Sequence, residues 1–277
     1  MGKALGIERT YSSPAPSLAW ECAGHCTSRP WARVVGAGPS EEKVEALAKA
    51  AGDNGMEVRG VVLDVTDPVA CEAFVTPIEP WAVVNNARYM NVGRVVDVDP
   101  AEALRQLDAL VVGPMHLATL AVPAMRRNVS GRIINVSCSI AHVTFAMTGW
   151  YQGGRARLLG GDRRLPAGGR SRRHRRDPHR ARGASTLGSG TRPRTICCDA
   201  ASSPRPRRLR PPLVMLRRLG GTMPGAPIAA EAIGEALSAA RPRLRHEVGV
   251  DAPLVRLAEH LLPERVQDRL RRSALGR

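Results

Sequence analysis

The sequence predicts an α/β protein built on a doubly wound parallel sheet. Short β-branched runs alternate with helical stretches from Arg33 to Arg155, the spacing that produces βαβ units. The apolar runs end in polar clusters, as in AVVNNA (82–87) and INVSCS (134–139), so side-chain chemistry gathers at one mouth of the sheet. A length of 277 residues suits one large domain, 1–277, and requires no second.

Taken in order, residues 1–32 show neither period, and YSSPAPSLAWECAGHCTSRPWA reads as loop or disorder. RVVGAG, from Arg33, is a short strand. SEEKVEALAKAAGD then opens on Ser40 as N-cap, places Glu41 and Glu42 in the first turn and carries apolar residues at helical spacing. EVRGVVLDV is the next strand, ending at Asp64, and a short helical stretch follows. PWAVVNNA is a strand closed by a polar turn. PAEALRQLDALVVGPMHLATLAVPAMRRN is one or two helices, with Pro100 suited to a first turn. GRIINVSCSIAHVTFAMTGWYQGGR, from Gly131 to Arg155, is a buried strand, a Ser/Cys cluster and then Tyr151 at a helix start. Open α/β sheets bind ligands outside the carboxyl ends of their strands, so chemistry is expected here.

After Gly153 the alternation stops. The Arg/Gly/Pro-rich segment 154–222 lacks the apolar surface to offset the entropy of ordering, so the sheet is expected to be incomplete or disordered there. Order resumes near Ile228. IAAEAIGEALSAA is an amphipathic helix, RHEVGV a strand, and the chain closes on a helical tail broken at Pro263.

The formal net charge of +16 raises the question of a nucleic-acid partner. Lysine occurs only at positions 3, 43 and 49, so the excess is Arg, concentrated between Arg155 and Arg210 and almost free of aromatics. A basic arm of that kind binds phosphate whatever its origin, and it stands as the rival to an enzymatic reading. Six irregularly spaced cysteines without a signal peptide argue for the reducing cytoplasm. Cys22, His25 and Cys26 lack the second pair a structural zinc site needs, so no metal is expected. No apolar run approaches the ~20 residues of a membrane span.

With Asp64, the NNA turn and the strand, Ser and Tyr in place, the chain resembles the short-chain dehydrogenase/reductase family, over roughly residues 33–153 and 225–275. The resemblance implies a Rossmann-type fold, NADP or NAD as cofactor, a small-molecule alcohol or carbonyl substrate, and association into homo-oligomers. It places Asp64, with Val65 beside it in LDVTD, near the adenine, and Asn86 and Ala87 of the NNAG-like turn against the cofactor. Tyr151 takes the place of the catalytic Tyr in YxxxK. The family's mechanism rests on a phenol whose ordinary pKa of about 10 suits neutral pH only beside a cation, and a Lys one helical turn later supplies it by bonding both phenol and ribose.

The departures fall on functional positions. The Lys position holds Arg155, to which the resemblance gives a catalytic role and, with Tyr151, a cofactor-binding one; it keeps the positive charge but not the compact ammonium. Thirteen residues before Tyr151 stands Cys138, flanked by Ser137 and Ser139, and either hydroxyl is a candidate for the catalytic Ser. Leu110 occupies the place of a catalytic Asn, Arg88 that of the last Gly of NNAG, and Pro39 a position that in NADP-using members often carries Arg. The TGxxxGxG loop is absent. The unmatched stretches, near 6–32 and 154–222, have flanks in register with the family, which implies translation in a shifted frame. Read one base back, Trp20–Glu21 necessarily encode Gly and His25–Cys26 necessarily Leu, while Ser13–Pro14, Pro14–Ala15 and Leu18–Ala19 permit Thr, Gly and Gly, the elements of a glycine loop. The chain is accordingly expected to be poorly folded and weakly active or inactive.

Overall fold

Strands of a parallel sheet covered on both faces are near-continuous apolar runs. AVVN and RIINVS are of this kind: every residue of the first and all but Arg132 of the second are buried. The computed structural model describes residues 4–8, 33–87, 90–91, 93–137, 147–162, 182–188, 226–243, 245–248, 261–263, 265–266 and 269. Within them seven strands form one sheet: β1 (Ala4–Glu8), β2 (Arg33–Gly38), β3 (Val58–Val62), β4 (Ala82–Asn85), β5 (Arg132–Ser137), β6 (Arg182–Gly188) and β7 (Arg245–Val248). Their order is β3-β2-β1-β4-β5-β6-β7, and every neighbouring pair is parallel. The winding reverses between β1 and β4, and a ligand crevice opens at such a switch point.

Among the described residues six helices lie between the strands: α1 (Glu41–Gly52), α2 (Pro68–Ile78), α3 (Pro100–Leu107), α4 (Gly113–Arg127), α5 (Gly149–Asp162) and α6 (Ala226–Ser238). A π-helical turn, Asp108–Val112, makes α3 and α4 continuous. On one face of the sheet Val84, Ile134 and Val136 pack with Ile233 and Leu237 of α6. On the other, Val83 and Ile133 pack with Val75 of α2 and Leu117, Ala121 and Met125 of α4. Even- and odd-numbered residues of β4 and β5 thus serve opposite faces, as the pleat requires. Gly113 lets α4 approach: a Cβ there would lie 2.5 Å from the Val65 carbonyl oxygen.

Several expectations are corrected. Residues 1–32 were read as lacking a strand, yet β1 lies in the middle of the sheet between β2 and β4. ALGIE is too short to show a period, and its pairing partners supply what the pattern does not. The sheet was expected to lack its sixth strand, yet β6 pairs with β5 from Arg132↔Arg182 to Ser137↔Leu187 and with β7 from Ser185↔Arg245 to Gly188↔Val248. Helix α5 continues to Asp162, past the Gly153 limit set from composition. Finally, Pro100–Arg127 is a 28-residue helix long and apolar enough to cross a membrane by length and composition. Its apolar face is the one packed on the sheet, as in a core helix.

Candidate active site

The parallel register sets Asn85 opposite Asn135 in the last rung between β4 and β5. Asn85 Nδ2 donates to Asn135 Oδ1 at 2.7 Å and to the Pro114 carbonyl of α4 at 3.1 Å. That fixes the odd-numbered polar side chains, Ser137 included, on the α4 face. Past this rung the ladder between the two strands ends, and the chain must satisfy its polar groups otherwise.

Arg155 does so. Its side chain is 1% exposed. Nη1 donates to the Val136 carbonyl at 3.0 Å, Nη2 to the Ala87 carbonyl at 3.3 Å, and Nε to Tyr151 Oη at 3.3 Å. One helical turn separates Tyr151 from Arg155, so both lie on the same face of α5, and the guanidinium carbon stands 5.5 Å from the Tyr151 ring centroid. Tyr151 is buried as well. Three sequence-predicted residues therefore meet at the carboxyl ends of β4 and β5: Tyr151, Arg155 and Ala87. Asn86 adjoins them, its Oδ1 buried without a hydrogen-bond partner among the described residues, as is Ser137 Oγ.

The segment after β4 is folded onto the start of α5. Gly93 N–H donates to the Met147 carbonyl at 2.8 Å and Trp150 Nε1 to the Val95 carbonyl at 3.4 Å. Gly149 packs closely there: a Cβ would come 2.6 Å from Val95 Cγ2, a side-chain methyl. Arg94 pairs with Asp97 in this segment; its hydrogen bond to Asp97, foremost, raises the guanidinium pKa above its ordinary value, with desolvation opposing it and the carboxylate's charge adding to it.

The other predicted residues lie elsewhere. Asp64 is exposed past the end of β3, where its carboxylate accepts from Thr66 N–H at 2.9 Å and from Thr66 Oγ1 at 2.8 Å. Val65 is buried, with its carbonyl against Gly113. Pro39 is exposed between β2 and α1. Leu110 sits in the π-helical turn, fully buried and packed toward Gly154. Ser139, Cys138, Arg88 and the residues 9–32 that stand in place of the glycine loop lie outside the described residues. What the sequence reading missed is the pair of main-chain acceptors, Val136 O and Ala87 O, because a backbone carbonyl carries no signature of its own.

Asn86 Oδ1, just past β4, and Ser137 Oγ, at the end of β5, are buried without a partner among the described residues, so a polar ligand at the carboxyl ends of these strands would satisfy them. Comparison with known proteins agrees with the fold. A search of curated proteins finds no match. Among solved structures, a short-chain dehydrogenase from Streptomyces avermitilis is 22% identical with a TM-score of 0.70, covering 96% of this chain and 94% of its own. A Burkholderia phymatum short chain dehydrogenase/reductase in complex with NAD gives 15% identity and a TM-score of 0.72, over 96% and 95% of the two chains. One from Burkholderia cenocepacia J2315, in complex with NADP, gives 18% and 0.66, over 98% and 99%. The family model for short chain dehydrogenases matches residues 18–160, which cover the Tyr151–Arg155 pair and every strand from β2 to β5, and the chain belongs to that family of oxidoreductases.

Proposed function

We propose that this chain is an NAD(P)-dependent oxidoreductase that interconverts an alcohol and a carbonyl, with Tyr151 as proton donor and acceptor. The observation that carries the reading is the buried Tyr151–Arg155 pair, 3.3 Å from Nε to Oη, at the carboxyl ends of β4 and β5. Family membership and fold neighbours in complex with NAD and NADP support it.

A phenol exchanges protons near neutrality only when a cation favours its anion. Arg155 is that cation. In the reducing direction Tyr151 gives its proton to the carbonyl oxygen; in the oxidising direction it takes one from the hydroxyl. The nicotinamide, when bound, supplies the hydride chemistry. Asn86 and Ala87 bound the cofactor side of the crevice, Arg155 closes it beneath Tyr151, and Asp64 and Val65 flank the adenine end. Ser137 and Ser139 are the candidates for the hydroxyl that polarises the substrate oxygen, and Ser137 Oγ is without a competing partner among the described residues. Turnover is low, well under the ~10 s⁻¹ typical of enzymes, because Leu110 stands in the place of a catalytic Asn and the sequence lacks the TGxxxGxG motif. The protein works in the cytoplasm as one domain on a small-molecule substrate, associates with copies of itself, and uses neither membrane nor nucleic acid.

The test is binding of NADPH and NADH by fluorescence, followed by turnover of an alcohol and carbonyl panel by the chain and by Tyr151→Phe. Measurable dissociation constants with slow turnover that the variant loses are expected. Absence of dinucleotide binding together with tight, sequence-selective binding of nucleic acid rejects the reading in favour of the Arg-rich segment 155–210 as the functional part.

A further inference from the structure

The chain that leaves β4 is fastened to α5 on both sides of Tyr151. Ahead of it, Gly93 N–H donates to the Met147 carbonyl at 2.8 Å and Trp150 Nε1 to the Val95 carbonyl at 3.4 Å. Behind it, Arg155 Nη2 donates to the Ala87 carbonyl at 3.3 Å. The segment that makes the first two contacts is itself braced. Asp97 N–H donates to the Arg94 carbonyl at 2.9 Å, and the Arg94 guanidinium meets the Asp97 carboxylate through both Nε and Nη2. A two-pronged pair of this kind fixes orientation as well as distance.

Met147 shows what these contacts oppose. Its φ is +71°, in the left-handed region that crowds an L side chain. Among the described residues Glu79 and Val129 also have positive φ without being glycine, but both follow the end of a helix, where a left-handed residue is common. Met147 precedes one. From it the chain passes through Thr148, 1% exposed, whose carbonyl accepts from Gln152 N–H at 2.9 Å and so opens α5. A strained residue persists only where its surroundings hold it, and such residues gather at sites of function. Gly93 supplies the hold, since its N–H takes the carbonyl of the strained residue itself.

We propose that the segment from Gly93 to Asp97 positions Tyr151: through Gly93 and Trp150 it holds Met147 in the left-handed turn from which α5 departs, and so sets the place of the phenol at the ends of β4 and β5. Gly93 and Trp150 are positioning residues, because they act through the start of the helix. The proposal rests on the reading of Tyr151 as the proton-transfer group. A Phe at 150 would pack in the same place but has no N–H for the Val95 carbonyl.

The test is steady-state turnover of the alcohol and carbonyl panel by the full chain and three variants, with circular dichroism and thermal melting to refer each rate to folded protein. Gly93→Pro removes the donor to Met147, and Trp150→Phe removes the indole N–H while keeping a ring. The third combines Gly93→Pro with Met147→Asn, since asparagine tolerates the left-handed region. Each single variant is expected to lower kcat by about tenfold to a hundredfold, the effect of moving a reacting group by about 1 Å. Met147→Asn is expected to restore a large part of the Gly93→Pro loss. A strap that serves stability alone lowers the melting temperature and leaves kcat per folded molecule unchanged, and that result overturns the proposal. So does a Gly93→Pro loss that Met147→Asn fails to relieve, because the left-handed turn is then not what the segment holds. Should both single variants unfold, hydrogen exchange in the wild-type chain decides. A Gly93 amide exchanging about tenfold or more slower than an open-chain amide supports the clamp, and open-chain exchange overturns it. Turnover of no substrate in the panel rejects the reading of Tyr151, and the same exchange measurement then judges the clamp separately.

Discussion

Tyr151 and Arg155 stand one helical turn apart, and that spacing alone puts a phenol and a cation on one face of α5. The sequence therefore revealed the pair. It did not reveal where the guanidinium goes, because its other acceptors are carbonyls 19 and 68 residues away. Removal of the phenolic oxygen in Tyr151→Phe is expected to lower turnover by about 10² to 10⁴-fold, the usual weight of a positioned acid–base group, with NADPH affinity retained. Steady-state rates and a fluorescence titration check both halves. At Gly113 the constraint is steric: an added Cβ would meet the Val65 backbone oxygen at 2.5 Å. Gly113→Ala is expected to destabilise by about 1–3 kcal/mol. At Gly131 an added Cβ would come 2.6 Å from Met125 Cβ, which is fixed to the α4 backbone, so Gly131→Ala is expected to lower the melting temperature comparably.

At the scale of elements, two helix starts separate position from interaction. Asp67 precedes α2 and its carboxylate accepts from Val69 N–H at 2.9 Å and Ala70 N–H at 3.0 Å. Ser40 precedes α1, where the sequence placed an N-cap, but its side chain makes no capping bond; its carbonyl accepts from Val44 N–H at 3.1 Å instead. Asp67→Ala should cost about 1 kcal/mol, and Ser40→Ala within about 0.5 kcal/mol, compared by chemical denaturation. Helix α4 owes its place to the apolar stripe on the sheet. Leu117→Ala, at a side chain 1% exposed, is expected to cost about 2–5 kcal/mol. The long apolar helix Pro100–Arg127 shows why composition misleads here: a helix covering the middle of a sheet needs as much apolar surface as one that meets lipid.

Across the whole molecule, the strand order was legible as a class and not as a count. The alternation from Arg33 to Ser137 predicted a parallel doubly wound sheet, and β2, β3, β4 and β5 stand where the runs RVVGAG, EVRGVVLDV, PWAVVNNA and GRIINVS lie. The coding sequence tests the shifted-frame reading of the segments near 6–32 and 154–222. An uninterrupted glycine-loop motif one frame away is the expected finding, and its absence from both alternative frames makes the two segments native. By itself the sequence determined five of the strands, the helices apart from the second half of α5, and the Tyr151–Arg155 spacing, since periodicity and turn chemistry act between near neighbours. Only the tertiary structure decided that ALGIE and RGASTLG are strands and that Arg155 bridges the ends of β4 and β5. Those outcomes depend on hydrogen-bonding partners supplied by distant parts of the chain.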